Sequence, residues 1–271
     1  MSYEIKSLGY RTDFIFNKLD GSVTDNGDYI VAKTSSNPNY FWGNLLLFKD
    51  APQKGDFKTW KDSFIKEFDN PEIYHMTFAW DSPEANEGDC SEFIENGFEL
   101  DKGVVLTTKS VVEPPKFNKD IDVNPISLEN DINRIIEIQV SCANTEHLSK
   151  EAWQGFYTKS MKQFAKIINE GHGKWFGAYV DGALVGSLGV FMDGDVARYQ
   201  IVSTHKDFQR RGVCSSLVYK SALYAFEEMG AATLVMVADE EYHAAKIYES
   251  VGFKLNQYQI GLCWWDKEKH K

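Results

Sequence analysis

Two hydrophobic periods take turns along the second half of the chain. From Ile121 to Ile126 apolar and polar positions alternate as in a strand, whereas Asn130 to Ala143 sets Ile132, Ile135, Ile136, Ile138 and Val140 on or near one helical face. A second helix is expected to begin at Ser149, with Trp153 and Phe156 behind it, and to stop at Gly171. Trp175–Val180, Leu184–Met192 and Val196–Thr204 then read as three strands. Asp181-Gly182 and Asp193-Gly194 separate them, dipeptides suited to tight hairpins, so this meander is predicted to be antiparallel. After Thr204 the period changes again. A mostly apolar helix is predicted from Val213 to Met229, closed by Gly230, followed by a short strand Thr233–Val237. A helix Tyr242–Ser250 stopped at Gly252, and final strands within Phe253–Trp265, complete the order β-α-α-β-β-β-α-β-α-β.

The first half is separated from this pattern by Val112-Glu113-Pro114-Pro115-Lys116-Phe117-Asn118-Lys119, where two prolines remove backbone donors and no period survives. The expected organisation is a domain over residues 1–112, a linker over 113–119 and a second domain over 120–271. Strands are expected at Phe41–Phe48 and His75–Trp80. Phe93-Ile94-Glu95-Asn96-Gly97-Phe98-Glu99-Leu100 aligns without gaps to Tyr248-Glu249-Ser250-Val251-Gly252-Phe253-Lys254-Leu255, and a short apolar strand precedes each. This is the mark of an internal repeat.

The 271 residues suffice for about two domains, and a hydrophobic content of 43% can supply each with a core. No apolar run approaches the roughly 18 residues of a membrane span, and Met1-Ser2-Tyr3-Glu4-Ile5-Lys6 lacks the layout of a secretory leader, so a cytoplasmic protein is expected. Cys90, Cys142, Cys214 and Cys263 form no C-x-x-C pair, which suggests free thiols and neither zinc nor a disulfide framework. The net charge of -11 argues against nucleic acid as a partner. That acidity is concentrated in the first half: residues 1–115 hold 11 Lys and Arg against 20 Asp and Glu. An acidic flank serves solubility, and it can also concentrate a cationic substrate.

Against this acidic background, Gln209-Arg210-Arg211-Gly212-Val213-Cys214 is a local basic cluster between a strand and a helix. Exposed backbone N–H groups and the helix dipole at such a junction face an anion, and a glycine lets the chain approach a diphosphate. An ordinary connection with solvated arginines is the competing reading, because one glycine is a weak motif. The passage from Tyr199 to Phe253 resembles the GNAT superfamily of acyl-CoA-dependent N-acetyltransferases. Its loop fits that family's Q/R-x-x-G-x-G/A pattern at Gln209 to Cys214, with Cys214 replacing the usual Gly or Ala. Ala244-Ala245-Lys246-Ile247-Tyr248-Glu249-Ser250-Val251-Gly252-Phe253 looks like the family's A-x-x-L-Y-x-x-x-G-F helix and turn, and Glu241 stands where an asparagine is frequent.

The resemblance covers about residues 120–265 and implies an α/β GNAT fold, a mixed and mostly antiparallel sheet flanked by helices. It implies acetyl-CoA as co-substrate, with no metal. The arm of the cofactor would pair with Val202, Ser203 and Thr204, and its diphosphate would lie on Gln209, Arg210, Arg211, Gly212, Val213, Cys214 and Ser215. Tyr248 would donate a proton to the departing sulfur. By the repeat, residues 1–112 are then a degenerate GNAT-like half: Phe93 lacks the hydroxyl of Tyr248, and Lys49-Asp50-Ala51-Pro52-Gln53-Lys54-Gly55 lacks the arginines of the loop.

The expected reaction is acetyl transfer to a primary amine of a small molecule, of which a cationic one suits the acidic flank. An alkyl amine with a pKa near 10.4 is unprotonated in only about one molecule per few thousand at pH 7, so a proton must leave before attack. No base stands out. Asp239, Glu240, Glu241 and His205 are candidates acting through water. The alternative reading is a non-catalytic acyl-CoA sensor or scaffold. A nucleotide-binding domain is disfavoured because hairpins, not βαβ units, precede the loop.

Overall fold

A computed structural model describes residues 3–143, 148–239 and 244–269. The chain forms two compact units, one of residues 1–105 with 257–271 and the other of residues 106–256. Residues 257–271 therefore close the first unit, where the periodicity had grouped them with the second domain.

In the first unit α1 (Leu8–Asp20) precedes β1 (Gly21–Asp25), β2 (Tyr29–Thr34), β3 (Leu45–Phe48), α2 (Asp56–Glu67), β4 (His75–Trp80) and α3 (Ser91–Glu95). β5 (Glu99–Thr108) follows and crosses the division between the units. β1 and β2 pair antiparallel, as do β2 and β3, while β3 and β4 run parallel. The strand expected over Phe41–Phe48 is shorter: Phe41–Gly43 is a single 3-10 turn and the strand starts at Leu45. Asn44 explains the difference. Its amide donates to the carbonyls of Asn37 and Tyr40 at 3.0 and 2.9 Å and accepts the Thr34 N–H at 2.9 Å, which ties the preceding residues into a loop. Aromatic packing fills the core, with Phe48 stacked on Trp60 at 3.7 Å and Phe78 edge-on to both.

The second unit contains β6 (Asp122–Ile126), α4 (Leu128–Cys142), α5 (Lys150–Asn169), β7 (Gly173–Val180), β8 (Ala183–Asp193), β9 (Val196–Thr204), α6 (Val213–Glu227), β10 (Thr233–Asp239) and α7 (Ala244–Val251). This is the predicted order. Tyr242 and His243 of the expected last helix lie outside the described residues. Ser149 caps α5 by accepting the Ala152 N–H at 3.2 Å. At the first hairpin Asp181 and Gly182 have φ of 49° and 77°, the mirror-image turn that suits twisted strands. β6, β7, β8 and β9 pair antiparallel in succession, and β10 joins β9 in parallel. The final strands expected within Phe253–Trp265 are one, β11 (Lys254–Trp265), whose residues 261–265 pair antiparallel with β4. Gly261 permits this approach, since a Cβ there would lie 2.5 Å from the Phe78 carbonyl oxygen.

The repeated octapeptides close their helices alike. Phe98 N–H bonds Phe93 O at 3.0 Å and Phe253 N–H bonds Tyr248 O at 3.2 Å, with Gly97 and Gly252 at φ of 84° and 109°. Both are left-handed glycine stops of the kind that satisfy the last carbonyls of a helix.

Candidate active site

β9 and the start of α6 position every loop and strand residue singled out in the sequence. Pairing between β9 and β10 is confined to Val196–Arg198 with Thr233–Val235, although β9 continues to Thr204 and β10 to Asp239. On its other edge β9 stays bonded to β8, but with one extra residue: Ser187 faces Ser203 and Gly189 faces Gln200. The surplus is a bulge at Ile201, which has φ of 46°. A β-branched residue pays for that conformation, by roughly 1 to 3 kcal/mol, so the surrounding structure must enforce it. The bulge turns the backbone of Val202, Ser203 and Thr204 off the line of β10, and these three half-buried residues form no ladder with β10, the Thr204 carbonyl accepting the Cys142 thiol at 2.9 Å. A strand edge without a ladder accepts an extended amide-bearing group by adding it as a further strand.

The loop that follows ends in a bare helix terminus. Gly212 is the N-cap of α6 at φ of 80°; it supplies no capping side chain, and the first turn carries no acidic residue. Ser216 is the first residue whose N–H reaches back, to Gly212 O at 3.0 Å, so helix geometry leaves Val213, Cys214 and Ser215 with outward N–H groups. Arg210 is also left-handed, at φ of 63°, and left-handed residues in such a turn gather successive N–H groups into an anion-binding concavity. Gln209, Arg210 and Arg211 are exposed, and the Arg211 guanidinium lies over the Phe208 ring at 5.1 Å. Val213 is buried against β8 beside Gly186, so it contributes backbone alone. The Ser215 hydroxyl is occupied, donating to Gly212 O at 3.2 Å and Lys116 O at 3.4 Å.

The surroundings of two loop residues set how they act. Gly212 is required for packing within the protein: a Cβ would meet Lys116 O at 2.3 Å and Asn118 Cβ at 3.2 Å. Its missing side chain thus admits a neighbouring segment. Cys214 is half-buried, and desolvation pushes its thiol up to about 12, overcoming the opposite pull of the helix terminus. Burial thus disfavours the thiolate, the nucleophilic form. At pH 8, alkylation read by mass spectrometry is expected to modify exposed Cys142 first and to spare Cys214 and Cys263, both raised to about 12; equal labelling of Cys214 would contradict its burial.

Tyr248 lies on α7, 6% exposed, with its ring 6.4 Å from Phe253, which in turn packs edge-on against Tyr199 at 5.8 Å. Of the candidate bases, His205 uses Nδ1 to accept the Asp207 N–H at 3.4 Å, and Asp239 is exposed at the end of β10. Glu240 and Glu241 lie outside the described residues. Sequence reasoning missed the segment Lys116–Asn118, which is folded against the loop, and the bulge, which no glycine announces.

The geometry has a match among known proteins. The model of the Acetyltransferase (GNAT) family matches residues 133–253, which run from within α4 to just past α7 and include the bulged strand and the loop. The chain has the α/β GNAT acetyltransferase fold. A GCN5-related N-acetyltransferase from Kribbella flavida shares it at a TM-score of 0.64 and 11% identity, over 95% of this chain and 96% of that one. A functionally unknown conserved protein from Staphylococcus epidermidis ATCC 12228 has a TM-score of 0.73 at 16% identity, over 93% and 97% of the two chains. A tandem GNAT protein from the clavulanic acid biosynthesis pathway has a TM-score of 0.55 at 10% identity, over 97% and 90%. No curated protein matches in sequence. The open strand edge and the uncapped helix are the two features of this GNAT fold that suit an extended diphosphate ligand. Among the described residues no group of three His, Cys, Asp or Glu could hold a metal ion, and no helix is long and apolar enough to cross a membrane.

Proposed function

We propose that the chain transfers an acetyl group from acetyl-CoA to a primary amine of a small molecule. The single observation that carries this reading is the splay of β9 from β10 directly ahead of an uncapped α6. Backbone of Val202, Ser203 and Thr204 would pair with the amides of the pantetheine arm. N–H groups at Gly212, Val213, Cys214 and Ser215 would bind the diphosphate, with Gln209, Arg210 and Arg211 at the rim. Each exposed charge there is worth about 0.3 to 1 kcal/mol, so affinity comes from several donors acting together. Acetyl-CoA supplies a thioester that an unprotonated amine attacks directly. The residues of the chain orient the arm, keep Cys214 out of the chemistry as a neutral thiol and, at Tyr248, hold a hydroxyl as proton donor to the leaving sulfur.

The first unit is read as a GNAT-like half that has lost its cofactor site. Its two antiparallel pairings and one parallel pairing match the last three of the second unit's four, and the helix stop is repeated. Its parallel strands stay bonded to their ends, Phe48 with Trp80. Its counterpart of α6 is α2, whose Asp56 carboxylate already accepts the Gln53 N–H at 2.8 Å. A carboxylate in the first turn of a helix opposes an external phosphate by its charge. The likeness to a tandem GNAT protein supports this reading.

A panel of primary amines with acetyl-CoA, scored by thiol release and by mass of the product, tests the reaction. Acetylated amine is the expected product. CoA binding without thiol release from any amine would favour a non-catalytic sensor, and absence of both would remove the proposal.

A further inference from the structure

The segment ahead of β6 is bound to α6 at several points. Asn118 Nδ2 donates to Arg211 O at 3.2 Å, Asn118 N–H to Ser216 Oγ at 3.0 Å, and Lys220 Nζ to Ile121 O at 2.6 Å. Phe117 packs edge-on against Tyr219 at 5.4 Å, and Lys116 O fills the space beside Gly212. Asn118 Oδ1 meanwhile accepts the Asp120 N–H at 3.0 Å, which fixes its amide so that the NH2 group faces Arg211.

We propose that Asn118 is a positioning residue for the phosphate-binding loop. A trans peptide carries its C=O and N–H on opposite sides of one plane. Holding Arg211 O toward Asn118 therefore aims the Gly212 N–H away from Asn118, to the side on which a diphosphate would lie. Without that donor the Arg211–Gly212 peptide is free to rotate, and a carbonyl turned toward an anion repels it. The linker thereby becomes the back wall of the cofactor site. This inference rests on coenzyme A being the ligand of the loop.

The test is titration calorimetry with CoA on wild type, Asn118→Ala and Asn118→Asp, each first shown by its thermal transition to be folded. Asn118→Asp keeps an acceptor for the Asp120 N–H and replaces the donor to Arg211 O by a charged oxygen, so with the added charge screened by salt it decides the matter should the alanine variant fail to fold. Both variants are expected to raise the Kd for CoA about tenfold, equivalent to about 1.4 kcal/mol. In Asn118→Asp the loss is expected to persist at about 1 M salt, where charges are screened beyond about 3 Å. With any amine that is turned over, KM for acetyl-CoA should rise while kcat at saturation is retained. Folded variants that bind CoA as wild type does would overturn the positioning role and leave the proposed function standing. A fall in kcat at unchanged KM would overturn it as well. Wild type that fails to bind CoA would remove the proposed function, and this inference with it.

Discussion

Gly212→Ala is expected to lose CoA binding by at least tenfold and to lower stability by more than 1 kcal/mol. Two costs fall on one methyl group. At φ of 80° an L-residue is penalised by roughly 1 to 2 kcal/mol, and the new Cβ would stand 2.3 Å from Lys116 O, a backbone atom held on both sides by the Asn118 and Ser215 contacts. Lys116–Asn118 has to retreat or the loop has to unwind. Either movement shifts the N–H groups of the helix terminus from the positions that make them converge. Calorimetry with CoA and a denaturant titration read the two effects separately. An alanine variant that binds CoA with wild-type affinity would show that the loop geometry is not what holds the ligand.

Tyr248→Phe is expected to lower kcat at least tenfold while leaving the Kd for CoA within about twofold. The ring packs against Phe253 in the core, and phenylalanine preserves that packing, so the substitution isolates the hydroxyl. A positioned general acid contributes about a hundredfold to ten-thousandfold, of which a tenfold loss is the conservative share. Single-turnover thiol release with saturating acetyl-CoA is the measurement. Wild-type turnover in the phenylalanine variant would make Tyr248 a core residue and nothing more. At the aligned position of the first unit stands Phe93, wholly buried among aromatic rings.

Much of the second unit was legible because its determinants are local. Asp181-Gly182 specifies a mirror-image turn, Ser149 caps a helix, and Gly252 stops one, each within a few residues of its effect. The strand Val196–Thr204 was bounded correctly by alternation. Its bulge at Ile201 was not foreseen from the residues, because an isoleucine carries no local preference for positive φ and the conformation is imposed by β8. The packing of the loop glycine against Lys116 was not legible, because that neighbour is far away in sequence. The pairing of Gly261–Trp265 with His75–Ala79 spans most of the chain, and no period of two or 3.6 records which partner a strand selects. Asn44, which shortens β3, acts through carbonyls of a loop that side-chain patterning does not see.

The stoichiometry of coenzyme A binding tests the central claim most directly, because one strand pair is splayed ahead of a helix with no acid in its first turn and the other stays bonded to its ends ahead of a helix that begins with Asp56. Titration calorimetry on the full chain is predicted to give one saturable site, abolished or weakened at least tenfold by Gly212→Ala. No heat of binding, two equivalent sites, or one site indifferent to Gly212→Ala would contradict it.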